Sequence, residues 1–228
     1  MNGKAFLLGT AALVASVAAA AGQAPSLSHA GGYVHRFVST TPRGAQTLYD
    51  QNENDAGYAV FSDYFDSGGP DSQAADDFAV PAGFTWMVTK IDVTGVYFNG
   101  SGPSIGQKVY FYKDKNGKPG KLIQEIDNLK GVDNGGSFAI TLPGKGVKLK
   151  TGKYWLSVQV GLHSFAEDGE WGWEVSSGQN ASRAMWQNRG EAFGVCPTWA
   201  RIASCVGVEV GPDLMFDLKG KAKSVTSD

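Results

Sequence analysis

Histidine and cysteine are nearly missing from this chain, at three and two of 228 residues. Two of the histidines, His29 and His35, lie six apart near the N-terminus. That leaves His163 as the one histidine within the expected domain, which argues against a multi-histidine metal centre and against a hydrolytic triad. No H-E-x-x-H stretch occurs, and no nucleophile elbow is expected. Charge of one sign is also lacking: 20 basic residues stand against 22 acidic ones, and the basic residues do not cluster with aromatics. Nucleic acid is therefore not an expected partner. Helical periodicity of useful length is missing as well. Only one long apolar run exists, Ala5 to Ala21, and no second stretch approaches the ~20 apolar residues of a membrane helix.

That run sits behind Lys4 and ends in small residues, the pattern of a secretory leader spanning 1–21. Its removal leaves 207 of the 228 residues and shifts the net charge from −2 to −3. Gly31-Gly32, Pro25 and Pro42 mark 22–45 as a loosely ordered arm, where His29 and His35 make at best a weak metal pair. The polar end KGKAKSVTSD carries no sorting anchor, and no lipidation cysteine follows the leader. The expected protein is secreted, extracellular or periplasmic, with no transmembrane segment in its mature chain. Cys196 and Cys205 both fall in the exported part and are expected to form a disulfide stapling one loop.

Thirty-one glycines and repeated turn signals point to an all-β chain. In Tyr154–Val160, Tyr154, Leu156, Val158 and Val160 alternate with Trp155, Ser157 and Gln159, the period of a strand with one face on a core. In Glu170–Val175, Trp171, Trp173 and Val175 share a face opposite Gly172 and Glu174. Asn116-Gly117 is the strongest hairpin signal, Pro81-Ala82-Gly83 reads as a turn, and Phe84–Phe98 as one long strand bent at Gly95. Leu214, Phe216 and Leu218 form a closing strand expected to pair with an early one.

Two readings of the tryptophans stand side by side. Adjacent indoles edged by carboxylates and amides suit a sugar, which offers an apolar face and a rim of hydroxyls. Trp171, Trp173, Glu174, Trp155 and Gln159 are then the ligand-binding candidates. Alternatively the indoles fill a core. The acidic stretch Asp63–Asp77 could fix a loop through a structural Ca²⁺, with Asp76 and Asp77 as ligands, or could serve turns and solubility. Glu167, Asp168, Glu170 and Glu174 offer carboxylates for glycoside hydrolysis, though such a cluster is more often a solvated loop. No cofactor is required.

The segments SQAADDFAVPAG (72–83), VYFYKDKNGKPGKLI (109–123), GKYWLSVQV (152–160), WGWE (171–174) and PDLMFDL (212–218) together resemble a β-sandwich module recurrent in exported bacterial proteins. There a Y-x-D-x-x-G-x-P-G segment precedes a Y-W-L strand, sometimes in chains ending in a sorting anchor. The resemblance implies an antiparallel two-sheet, jelly-roll-like domain over 46–220 with a polar tail at 221–228, in a surface or extracellular setting. It carries over no catalytic residue. The function expected is non-enzymatic binding of a polysaccharide or surface glycan through an aromatic face. The alternatives are a structural or adhesive protein with a surface-protein partner, and a glycoside hydrolase.

Overall fold

A computed structural model describes residues 14–16, 45–189 and 193–225. Apart from 14–16 and Ala45, the expected leader and arm, with His29 and His35, lie outside the described residues. The first strands are β1 (Val14–Ser16), β2 (Gln46–Asp50), β3 (Asp55–Phe61), β4 (Asp63–Phe65), β5 (Ser72–Val93), β6 (Gly95–Phe98), β7 (Gly106–Asp114) and β8 (Pro119–Leu129). Next come β9 (Val132–Asn134), β10 (Ser137–Thr141), β11 (Val147–Leu162), the short helix α1 (Phe165–Asp168), β12 (Glu170–Ser176) and β13 (Met185–Asn188). The chain ends through β14 (Ala200–Arg201), α2 (Ile202–Val206), β15 (Asp213–Leu214) and β16 (Phe216–Ser224).

These strands make two sheets, as the alternation predicts, antiparallel except where β4 runs parallel beside the end of β11. The larger runs β14-β13-β5-β11-β7-β8, with β10 and β16 on the second half of β5 and β2 beside β16. The smaller is β1-β3-β12-β15, with β6 also on β12. Between them lies the main core, in which β11 supplies Tyr154, Leu156, Val158 and Val160, β12 supplies Trp171, Trp173 and Val175, and β16 supplies Phe216 and Leu218. The last strand pairs with the early strand β2, in register Asp217 to Asp50.

Local chemistry explains the connections. Asn116 and Gly117 both take positive φ, 56° and 72°, and Lys115 N–H donates to Lys118 C=O at 2.9 Å, closing the β7–β8 hairpin. Pro81–Gly83 does not end a strand. It forms a bulge within β5, because Val80 pairs with Gly152 and Thr85 with Lys150, leaving four residues of β5 against one of β11. Proline lacks the ladder donor and Gly83 takes a φ of 76°, so the strand bends there and continues. Phe84–Phe98 is correspondingly not one strand. It breaks at Thr94, and the chain passes from the larger sheet to the smaller one as β6 begins. β16 also runs on to Ser224, past the boundary read at 220.

Gly95 sits at that crossing. A Cβ there would lie 2.4 Å from the Trp171 ring and 2.8 Å from Gly172 C=O. Glycine is needed for space, so that the indole can lie flush on the backbone where the sheets exchange a strand. Gly95→Ala is expected to displace Trp171 and lower stability by about 1–3 kcal/mol, read as a shift of the urea midpoint at unchanged slope.

Candidate functional site

The five candidate ligand residues separate into three places. Trp171 and Trp173 are fully buried in the main core, so the sugar platform expected of them is corrected to a core pair. Their rings sit 6.3 Å apart at 41°, and each indole N–H finds a backbone acceptor: Trp171 Nε1 gives to Gly136 C=O at 2.7 Å, Trp173 Nε1 to Met215 C=O at 2.8 Å. Hydrophobic burial and these bonds leave the rings nothing to offer a ligand. Glu174, half-buried, lies on the opposite face of β12, the outside of the smaller sheet. Trp155 and Gln159 lie on the outside of the larger sheet, a full sandwich thickness away.

That outer face is the richer one. Its cross-strand rows place Met185 beside Ala75, Ser157 and Tyr110, and Asp77 beside Trp155 and Tyr112. Ala75, Tyr110, Tyr112, Trp155 and Met185 form a second buried cluster, against which Trp199 packs. Trp199 meets Tyr112 edge-on, with centroids 5.9 Å apart at 77°. Amides interleave with the rings. Tyr110 O–H donates to Gln159 Oε1 at 3.0 Å, Gln73 Nε2 to Tyr112 Oη at 3.0 Å, and Gln187 Nε2 to Gln73 Oε1 at 2.7 Å. Gln159 Nε2 reaches Asp71 at 2.8 Å and Ser72 C=O at 2.6 Å. Arg189 donates to Gln159 Oε1 at 3.2 Å and lies over the Tyr110 ring, 5.9 Å from its centroid. The Ser157 hydroxyl, fully buried among them, has no hydrogen-bond partner among the described residues.

Alternation thus predicts the direction of Trp155 and Gln159 but not their burial. Neighbouring rings and amides shield them, joined by Trp199 from a stretch without periodicity, 193–209, which the Cys196–Cys205 disulfide closes on itself with Cα atoms 5.8 Å apart. At its margin opens a groove of about 600 Å³. Asn116, Gly117 and Lys118 of the hairpin line it, with Gln179, Ala181, Ser182 and Arg183 of the β12–β13 connection, Met185 of the second cluster, and Ala200, Arg201 and Ser204 of the stapled segment. Tyr110, Tyr112 and Trp199 escaped the sequence reading, although tyrosines two apart opposite Val109 and Phe111 were a legible signal.

The two aspartates offered as Ca²⁺ ligands are each engaged by groups of the protein itself. Asp76 and Asp77 are adjacent on β5 and point to opposite sides. Asp76 Oδ2 accepts from Gln51 Nε2 and Leu214 N–H, both at 2.7 Å, while Asp77 holds Lys153 Nζ at 2.6 Å and accepts from Ser182 N–H at 3.1 Å. Lys153 already supplies the cation. No group of three or more His, Cys, Asp or Glu fit to hold an ion occurs among the described residues. The hydrolase candidates are likewise dispersed: Asp168 accepts from His163 N–H, and Glu170 from Asn99. Gly102–Gly106 does carry the G-x-S-x-G spacing, but it leads into β7 rather than from a strand into a helix. Ser104 Oγ is engaged by Gly106 N–H and Gln107 Nε2, both at 3.0 Å, while His163 pairs with Asp66 at 3.0 Å.

Burial raises several carboxyls. Asp63, which accepts from Trp171 N–H at 2.9 Å and from Ser72 O–H at 2.8 Å, is pushed up to about 7 by loss of solvent. Burial lifts Asp213 and Asp217 to about 7 also, helped by Asp77 for the first and by Asp50 for the second. A carboxyl whose folded pKa exceeds its unfolded value favours the native state when protonated. The stabilisation is complete below pH ~4 and fades as pH rises through about 7. The protein is therefore expected to unfold at a higher temperature at pH 5 than at pH 8. Asp63→Asn, which mimics the protonated acid, should remove on the order of 2 kcal/mol of that difference, as measured by thermal melts across the range.

No protein-family model and no curated protein matches this chain.

Proposed function

We propose that this is an exported, non-enzymatic β-sandwich protein that binds carbohydrate in the groove beside the second cluster, where the lining residues Met185 and Ala200 adjoin that cluster and Trp199. The groove itself carries the reading. Its volume of about 600 Å³ is that of a small-ligand site. Its walls offer the amides of Asn116 and Gln179 and the hydroxyls of Ser182 and Ser204, groups that both donate to and accept from sugar hydroxyls. Among the described residues the lining contains no carboxylate, which favours binding over glycoside hydrolysis, a reaction that needs two. The disulfide favours an oxidising compartment, and no described helix is long and apolar enough to cross a membrane.

The stapled segment is central to this reading, because the residues between Cys196 and Cys205 include Trp199, Ala200, Arg201 and Ser204. Conformational entropy opposes holding so irregular a segment in one shape, and the disulfide offsets that cost. Cys196→Ser with Cys205→Ser should cost roughly 2–3 kcal/mol of stability and weaken ligand binding more than it affects the sandwich's circular dichroism.

Binding of the mature protein to a panel of neutral and acidic polysaccharides, with and without Ca²⁺, tests the proposal. Trp199→Ala, at a partly exposed position, is expected to weaken binding at least tenfold with the fold intact, whereas Trp171→Phe should change stability and leave affinity unchanged. A folded protein that binds no polysaccharide on the panel would sink the proposal and favour a structural or adhesive role with a protein partner.

A further inference from the structure

Resting on the carbohydrate reading, we infer that the groove selects acidic polysaccharides, those bearing carboxylate or sulfate groups, through Arg201 and Lys118. The chain as a whole is slightly acidic, with 22 acidic residues against 20 basic ones. The groove reverses that sign: Lys118, Arg183 and Arg201 line it, and among the described residues no aspartate or glutamate does. Arg183 is partly committed, since its Nη1 lies 2.8 Å from Glu209. Neither Lys118 nor Arg201 forms a salt bridge or side-chain hydrogen bond among the described residues, and both are exposed.

Two further observations set these cations around a ligand rather than free in solvent. A second cavity of about 260 Å³ lies against the groove and shares Arg183, Arg201 and Ser204 with it, so both guanidiniums stand on a wall with space on either side. Arg201 also belongs to β14 and sits within the segment closed by the disulfide, so its backbone is fixed. A guanidinium so placed meets a carboxylate or sulfate through two parallel N–H···O bonds, and the ammonium of Lys118, on the hairpin that also lines the groove, adds a point charge. A polysaccharide with repeating acidic groups would span the groove from the hairpin lip to the stapled wall. Its hydroxyls would face the amides of Asn116 and Gln179.

The test compares binding of polygalacturonate, dextran sulfate, neutral dextran and a single-stranded oligonucleotide to the wild type and to the Lys118→Gln, Arg201→Gln double variant. Both side chains lack protein partners, so the variant's melting temperature should match the wild type. The expected result is at least tenfold tighter binding of one or both acidic polysaccharides than of dextran, weakening as salt is raised and lost in the double variant. Preference for polygalacturonate identifies carboxylate as the recognised group, and preference for dextran sulfate identifies sulfate. Equal binding of dextran and the acidic polymers, with Trp199→Ala still disruptive, overturns this inference and leaves the carbohydrate site standing. Oligonucleotide binding as tight as that of the acidic sugars also overturns it, by reducing the groove to a general polyanion patch. Absence of binding to every polysaccharide removes both readings.

Discussion

Everything else in this protein follows from β11 being buried on both sides. Leu156, Val158 and Val160 face the smaller sheet, Trp155, Ser157 and Gln159 face outward, and all six are shielded from solvent. A sandwich sheet with one wet face needs no more than its partner sheet. The outer face of this one is closed by its own rings and amides, with Trp199 packed against them. Trp199 belongs to the irregular stretch after β13, a cover whose Phe193, Ala200, Ile202, Cys205 and Val206 pack on the main core and which has only a two-residue strand and a five-residue helix of its own. So little regular structure holds its shape poorly, and the disulfide supplies the missing constraint. The groove lies where this cover meets the hairpin and the β12–β13 connection.

The indole N–H groups distinguish the two clusters. Trp171, Trp173 and Trp186 each donate to a backbone carbonyl, an acceptor fixed by the sheets themselves. Trp155 instead donates to the Asp114 carboxylate at 2.9 Å. Side-chain partners recur throughout the outer cluster, in the Tyr110–Gln159 and Tyr112–Gln73–Gln187 bonds. Networks of side chains can rearrange at less cost than a ladder of backbone bonds. The unpartnered Ser157 hydroxyl among them carries the desolvation penalty of a buried polar group. The main core is therefore closed chemistry, while the outer cluster keeps polar capacity beside the groove.

Period-two alternation made the fold class legible and gave the face of nearly every long strand correctly, including Phe138, Ile140 and Leu142, and Leu214, Phe216 and Leu218. The disulfide was legible from cysteine count and context. Alternation could not say which of two faces meets water, because that depends on segments distant in sequence and without a period. Trp171 and Trp173 show the ambiguity: the same spacing builds a sugar platform or a core, and only the opposing sheet decides. Pro81–Gly83 misled for a related reason, since a turn and a bulge use the same residues and differ in whether a partner strand continues alongside. Asp76 and Asp77 looked like paired ligands because the sequence does not display Lys153, Gln51 and Leu214 converging on them. The groove was illegible outright, as its walls come from three separate stretches.

Those buried carboxylates also shape the electrostatics behind the groove. The β12–β13 connection that forms one wall is tied down by acids, with Ser182 N–H donating to Asp77 and Asn180 N–H to Asp213. Left fully charged, two such carboxylates would offset the cations in front of them. Asp77 is neutralised by Lys153 at 2.6 Å, and burial holds Asp213 to about 7, leaving it partly protonated near neutrality. The acids act there mainly as hydrogen-bond acceptors, anchoring backbone while contributing little opposing field. The same burial that makes the sandwich more stable in mild acid thus weakens the field these two acids set against Lys118 and Arg201, while Arg183 remains paired with Glu209.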